Sequence, residues 1–173
     1  MHPLLARPLA DIARLTADMT TADLDCHPPG KWSSAGTLEH LARTFEGTRR
    51  NFQKCLDTGT RRATRPTLRR RAGVLIVIEL GRFPTGVQAP GPTLPKGIPA
   101  DSVMDVLKRN LAGMDAAMAE CETRFGRRAW IANHSVLGPL TLRQWRQFHR
   151  VHARHHLKQI ASLRAEASFH GSP

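Results

Sequence analysis

The chain contains no tyrosine and only nine phenylalanine and tryptophan residues among 173. A surface that binds single strands of nucleic acid by stacking interleaves aromatic rings with basic residues, so that class is not expected here. Acidic residues are also scarce: 14 Asp and Glu stand against 26 Lys and Arg, a formal charge of +12. Such a surplus favours anionic partners in general. The basic residues are spread over helical faces, with small clusters at Arg49-Arg50, Arg61-Arg62 and Arg69-Arg70-Arg71, so specific nucleic-acid binding is not the expected role. Cysteine is rare as well. Cys26, Cys55 and Cys121 are odd in number, widely spaced and without a Cys-x-x-Cys pair, which argues against a disulfide framework and fits a reducing cytoplasm. Cys26 stands beside His27, but neighbours in sequence rarely face each other productively, and a plain loop cysteine is expected. Long apolar runs are missing too. The longest, Val74 to Ile78, is far too short to span a bilayer, and Pro3, Arg7, Pro8 and Asp11 interrupt any secretory signal. A soluble cytoplasmic protein is expected, with no membrane partner.

Apolar residues at 40% and charged residues at 23% are within the range of chains that fold around a core, and 173 residues suit one domain. Four segments carry helical periodicity. The first, about 3–19, spaces Leu5, Leu9, Ile12, Leu15 and Met19 three or four apart. Polar Thr20-Thr21-Ala22-Asp23 and then Pro28-Pro29-Gly30 close it. The second starts near Ser34 and carries Leu38, Leu41, Phe45, Thr48, Phe52 and Leu56 before Gly59. The third follows Pro99, with Asp101 or Ser102 as cap, and carries Val103, Leu107, Leu111, Met114, Met118 and Cys121. The fourth begins at Thr141, three residues before Gln144 in a capping-box pattern, and runs to about Ala167. Residues 60–99 form a long connection. Its β-branched run Val74-Leu75-Ile76-Val77-Ile78 has no second strand to pair with and reads as a short helix or irregular apolar segment. Phe83-Pro84-Thr85-Gly86 and the Pro/Gly-rich stretch through Pro99 read as loop. The pattern predicts an all-α four-helix bundle with a long crossover between its second and third helices.

The strongest chemical signal is His152-Ala-Arg-His155-His156-Leu-Lys-Gln159 in the fourth helix. A helix advances ~100° per residue, so His152 and His156 sit nearly above one another and can aim two imidazoles at one point. Trp145, Gln159 and Leu163 lie within about 40° of His152 on the helical wheel. Arg143, Arg150 and Arg154 fall on the opposite side. Histidines thus share the face that should be buried, where an imidazole needs partners for its ring nitrogens. His149 and His155 flank the stripe at about 60° to either side, where a supporting or surface role is the plainer reading. A metal site, a hydrogen-bonded core histidine, a solvated basic face and a nucleic-acid contact all fit this spacing. A helix-borne pair needs a further ligand, and His40, at the edge of the second helix's apolar stripe, is the best candidate. Gly36, Thr44 and Gly47 surround it on the wheel and leave room for an imidazole. An edge histidine packed against the fourth helix is the competing reading.

Trp32 followed by Glu39-His40-Leu41, the long middle connection, and His152-x-x-x-His156-x-x-Gln159 together resemble the DinB-like superfamily of four-helix bundles. More narrowly, Gly138-Pro139-Leu140-Thr141 with Trp145, Phe148-His149, His152 and His155-His156-Leu157-x-Gln159 is similar to a DinB-related family of bacterial proteins. The likeness covers most of the chain, although within 60–99 only the Phe83-Pro84 region supports it. It implies a three-histidine site for a divalent metal such as zinc or nickel, carried over here to His40, His152 and His156. It also implies a homodimer, and among relatives transferases that join a low-molecular-weight thiol to a second substrate, together with an isomerase that uses a thiol cofactor.

Three imidazoles with an open position suit a borderline metal, which would lower the pKa of a bound water or thiol. An anionic small-molecule substrate would match the basic surface. No Asp or Glu stands on the ligand stripe, which leaves His149, His155 and His134 as candidate general bases; His134, in Asn133-His134-Ser135, equally suits a loop or capping role. The functions that follow are a metal-dependent thiol S-transferase or hydrolase, a non-catalytic bundle with structural histidines or a structural metal, and a charge-driven binder of anions or nucleic acid. The first requires His40 to lie within about a helix diameter, ~10 Å, of the other two.

Overall fold

The computed structural model describes residues 1–82 and 88–170. The helices run in the order α1 (Pro3–Thr16), α2 (Thr21–Asp25), α3 (Ser34–Thr58), α4 (Leu68–Val74), α5 (Val103–Phe125) and α6 (Leu142–His170), with strands β1 (Trp130–His134) and β2 (Gly138–Thr141) between the last two. The four long helices, α1, α3, α5 and α6, form the expected bundle. Their apolar stripes meet in one core: Leu5 and Ile12 of α1, Leu38, Leu41, Phe45 and Phe52 of α3, Leu107, Leu111, Met114 and Met118 of α5, and Trp145, Phe148 and Ile160 of α6 are all buried. Each such side chain contributes about 1.5–3 kcal/mol through removal from water. α3 packs most extensively on α5, and α1 on α6.

Boundaries depart from the periodic pattern where local polar chemistry competes. The first helix ends at Thr16 rather than near Met19. Thr16 Oγ1 donates to the Ile12 carbonyl at 3.0 Å, and the next residues turn back. The polar run that was expected to close it opens α2 instead, because Thr20 and Asp23 form a reciprocal capping box. The capping box expected for α6 is present: Thr141 N–H donates to Gln144 Oε1 at 2.9 Å, and Gln144 N–H donates to Thr141 Oγ1 at 3.3 Å. Thr141→Ala should cost about 1 kcal/mol, read as a lower midpoint in denaturant at unchanged slope. Ser102 occupies the N-cap of α5 but bonds Pro99 rather than a helix amide.

The connection is partly helical. Thr67 caps α4, which passes into a π-helical turn, Leu75–Glu79. Val77 and Ile78 are buried, whereas Leu68, Leu75, Ile76 and Leu80 remain exposed. Phe83-Pro84-Thr85-Gly86, expected as loop, lies outside the described residues. The antiparallel hairpin β1–β2 is an addition to the expected all-helical plan. It buries Ile131, Ala132 and Leu140 against the bundle. Gly138 adopts φ +76°, and a side chain there would collide with Arg70.

Cys55 and Cys121 are buried, Cys26 is exposed, and no disulfide links them. Burial pushes the Cys121 thiol up to about 12, which suits a packing residue and not a nucleophile. Among the described residues no helix is long and apolar enough to cross a membrane. Arg146 of α6 is buried; it pairs with Glu122 at 2.7 Å and stands 4.0 Å from Asp115, tying α6 to α5.

Candidate metal centre

α3 and α6 bring His40, His152 and His156 together. All three are buried, and their nearest ring nitrogens lie within 4.8 Å of one another. His152 stands in the middle, its Nε2 3.2 Å from Nε2 of His40 and 2.9 Å from Nε2 of His156. The four-residue spacing on α6 stacks the last two, and α3 supplies the third from across the bundle. Gly36 lies one turn away, where an added Cβ would stand in ordinary contact with Ser33, Trp32 and Pro95. The Trp32 ring lies 5.0 Å from that of His40, and Phe148 stacks on His152 at 5.4 Å.

Proton placement follows from the outer partners. His40 Nδ1–H donates to the Thr93 carbonyl at 2.9 Å, because a carbonyl can only accept. His156 Nδ1–H donates to Gln159 Oε1 at 2.6 Å. The Gln159 amide in turn donates to His155 Nε2 at 3.2 Å, which fixes which way the amide faces. A neutral imidazole carries one ring proton, so the Nε2 atoms of His40 and His156 both present lone pairs to His152. His152 Nε2 holds at most one proton and cannot satisfy both. Two lone pairs must therefore crowd with a third nitrogen in a buried space, and a cation resolves that conflict.

Electrostatics keep the rings neutral, the form that ligates. Burial holds His40 below its ordinary value, against the opposing pull of the Thr93 hydrogen bond. His156 falls to about 3 through burial, with His40 adding repulsion. His152 is held well below the usual range by burial and then by His156 and His40. The donor set thus fits a divalent transition ion: three neutral nitrogens, two of them with oriented partners on the far side of the ring.

A family model described as the DinB superfamily matches residues 4–160. The chain belongs to the DinB superfamily. Comparison with curated proteins and with solved structures gives no significant match.

Of the other histidines in this DinB chain, His149 and His134 lie outside the cluster and His155 stands at its edge. His149 is 1% exposed and packs against Phe45, Trp145 and Phe148 at ring separations of 5.3, 6.0 and 5.1 Å. Burial drives its pKa to about 3. His134 ends β1, where its Nδ1 accepts the backbone N–H groups of Val136 and Leu137 at 3.2 Å each, and burial lowers it to about 4. Both environments are those of packed or turn-forming residues. His155 is half-buried, its ring 5.1 Å from that of His156. On the same helix Trp145 is buried, Leu163 and Arg150 are half-buried, and Arg143, Arg154 and Gln159 are exposed.

One residue beside the site was not assigned a role from the sequence. Glu39 is 1% exposed and receives three backbone N–H groups from the connection. A carboxylate on the inner face of an amphipathic helix, next to a candidate ligand, was the available signal.

Proposed function

We propose that His40, His152 and His156 hold a divalent transition ion, zinc or nickel, and that this DinB protein uses it to activate a low-molecular-weight thiol for transfer to a second substrate. The carrying observation is the packing of three Nε2 atoms in which the outer two are tied, through Nδ1, as lone-pair donors. When bound, such an ion supplies Lewis acidity that brings a coordinated thiol or water towards ionisation at neutral pH.

The chain's own residues do the rest. Thr93 and Gln159 orient the outer imidazoles, and burial keeps all three neutral. The carboxylate that stands beside the site is not spare, which favours a thiol over water. Glu39 has both oxygens committed to backbone amides, and a thiol, unlike water, ionises near pH ~8.5 without help. His155 Nε2, the lone-pair nitrogen of the neutral ring, is taken up by the Gln159 amide and steadies it, and His149 is enclosed, so the thiol proton is assigned to water. The charge of +12 suits an anionic thiol as substrate. The homodimer belongs to this reading by family resemblance alone.

Untagged protein loaded with cobalt(II) should change its visible spectrum when mercaptoacetate is added, because the thiol enters the coordination sphere. A spectrum indifferent to the thiol while cobalt stays bound would sink the transferase reading. A lower Tm on chelation would then identify a structural metal instead.

A further inference from the structure

The turn of α3 that carries His40 also grips the chain returning to α5. Glu39 accepts the N–H groups of Lys96 at 2.7 Å, Gly97 at 2.9 Å and Ile98 at 2.9 Å. Arg43 stands 3.8 Å from Glu39 Oε1 and donates to the Pro92 carbonyl at 3.0 Å. Between these two anchors lies Thr93, whose carbonyl receives the His40 proton. A carboxylate this deeply buried is tolerated only when several donors meet its charge, and the returning segment is shaped to provide them. Pro90, Pro92, Pro95 and Pro99 restrict its backbone and contribute no N–H groups of their own. Gly97, at φ +88°, lets three successive amides converge on one side chain.

We infer that Glu39 is a positioning residue for the metal centre. It clamps residues 92–98 on α3 and so fixes the Thr93 carbonyl that orients His40. This rests on the metal reading above, but assigns the preorganisation of the site to a residue that touches none of the three ligand nitrogens. The coupling is reciprocal: an ion on His40 Nε2 makes the Nδ1–H a stronger donor to Thr93, so metal binding tightens the strap that favours metal binding. The partners behind ligating histidines typically matter 10- to 100-fold in affinity, and Glu39 acts through such a partner.

Two variants test it from opposite sides of the clamp. Glu39→Gln replaces one accepting oxygen by a donor. Gly97→Val strains the backbone of the strap at an exposed position that is not itself a ligand. Zinc affinity is measured by competition with a chromophoric chelator, and the His40 tautomer by ¹⁵N imidazole shifts in metal-free protein. Both variants should bind zinc about 10- to 100-fold more weakly and lose the pure Nδ1–H signature, and the double variant should be little worse than the weaker single. A merely structural role would lower Tm and leave affinity and tautomer alone. If Glu39→Gln fails to fold, Gly97→Val carries the test. Zinc held equally, within twofold, by wild type and folded variants overturns this inference alone; zinc absent from the wild type overturns it together with the metal reading.

Discussion

His152→Ala is expected to reduce bound zinc or nickel from about one equivalent per chain to less than about a tenth. The size of the effect follows from the position of residue 152 in the cluster. Its Nε2 is the central atom, 3.2 Å from one outer nitrogen and 2.9 Å from the other. Removing it leaves one imidazole from each of two helices and a void between them. Loss of a partner behind a ligand already costs about 10- to 100-fold in affinity, so loss of the central ligand should exceed that. Elemental analysis of untagged protein reads the result directly. Chelation should also lower the Tm of the wild type and leave that of the variant unchanged, since only an ion bound to the folded state stabilises it. Metal content indifferent to the substitution would end the three-histidine assignment. His149→Leu is the control, because His149 lies outside the cluster and within the aromatic packing.

The second large effect is acid unfolding. Burial sets His149 at about 3 and His134 at about 4 in the folded chain, whereas an unfolded histidine titrates near ~6.5. Below that value the unfolded chain takes up protons that the folded chain refuses. Stability is therefore complete above pH ~6.5 and falls as pH drops, by about 1.4 kcal/mol per pH unit for each such histidine until its folded pKa is reached. By pH ~4.5 these two residues alone remove about 5 kcal/mol, comparable with the whole stability of a small domain at the lower end. His152 and His156 are depressed as well and steepen the fall in metal-free protein. Far- and near-ultraviolet circular dichroism across an acid titration should show cooperative loss of structure near pH ~4.5. His149→Leu should take up about one proton fewer per unfolding event in acid, whatever it does to stability at neutral pH. A denaturant midpoint unchanged between pH 7 and pH 4 would contradict this account.

How much of the molecule could be read from residues alone depended on the length and period of each element. Helices α3, α5 and α6 repeat apolar residues over five or more turns, and their stripes are the core. The hairpin escaped because Trp130–His134 and Gly138–Thr141 are five and four residues long, too short for a period to emerge. α2 escaped for the opposite reason: Thr20 and Asp23 look like turn residues until their side chains are seen to cap each other. Arg146 was illegible because only a neighbouring helix could supply Glu122 at 2.7 Å to a buried guanidinium. Gln159, by contrast, stood on the histidine stripe and does bond His156, though from an exposed position.

The sequence by itself determined the bundle, its long crossover and the pairing of His152 with His156, because helical geometry converts spacing along the chain into direction in space. It could place His40 only at the edge of a stripe, with ligand and packing residue equally good. Tertiary structure decided between convergence and separation, since the distance from α3 to α6 is set by core packing across residues more than a hundred apart. Tertiary structure also committed Glu39 to the strap and set His149 and His134 among rings and turns. Which nitrogens carry protons, and whether a histidine faces its fellows or an apolar wall, are properties of neighbours that only folding supplies.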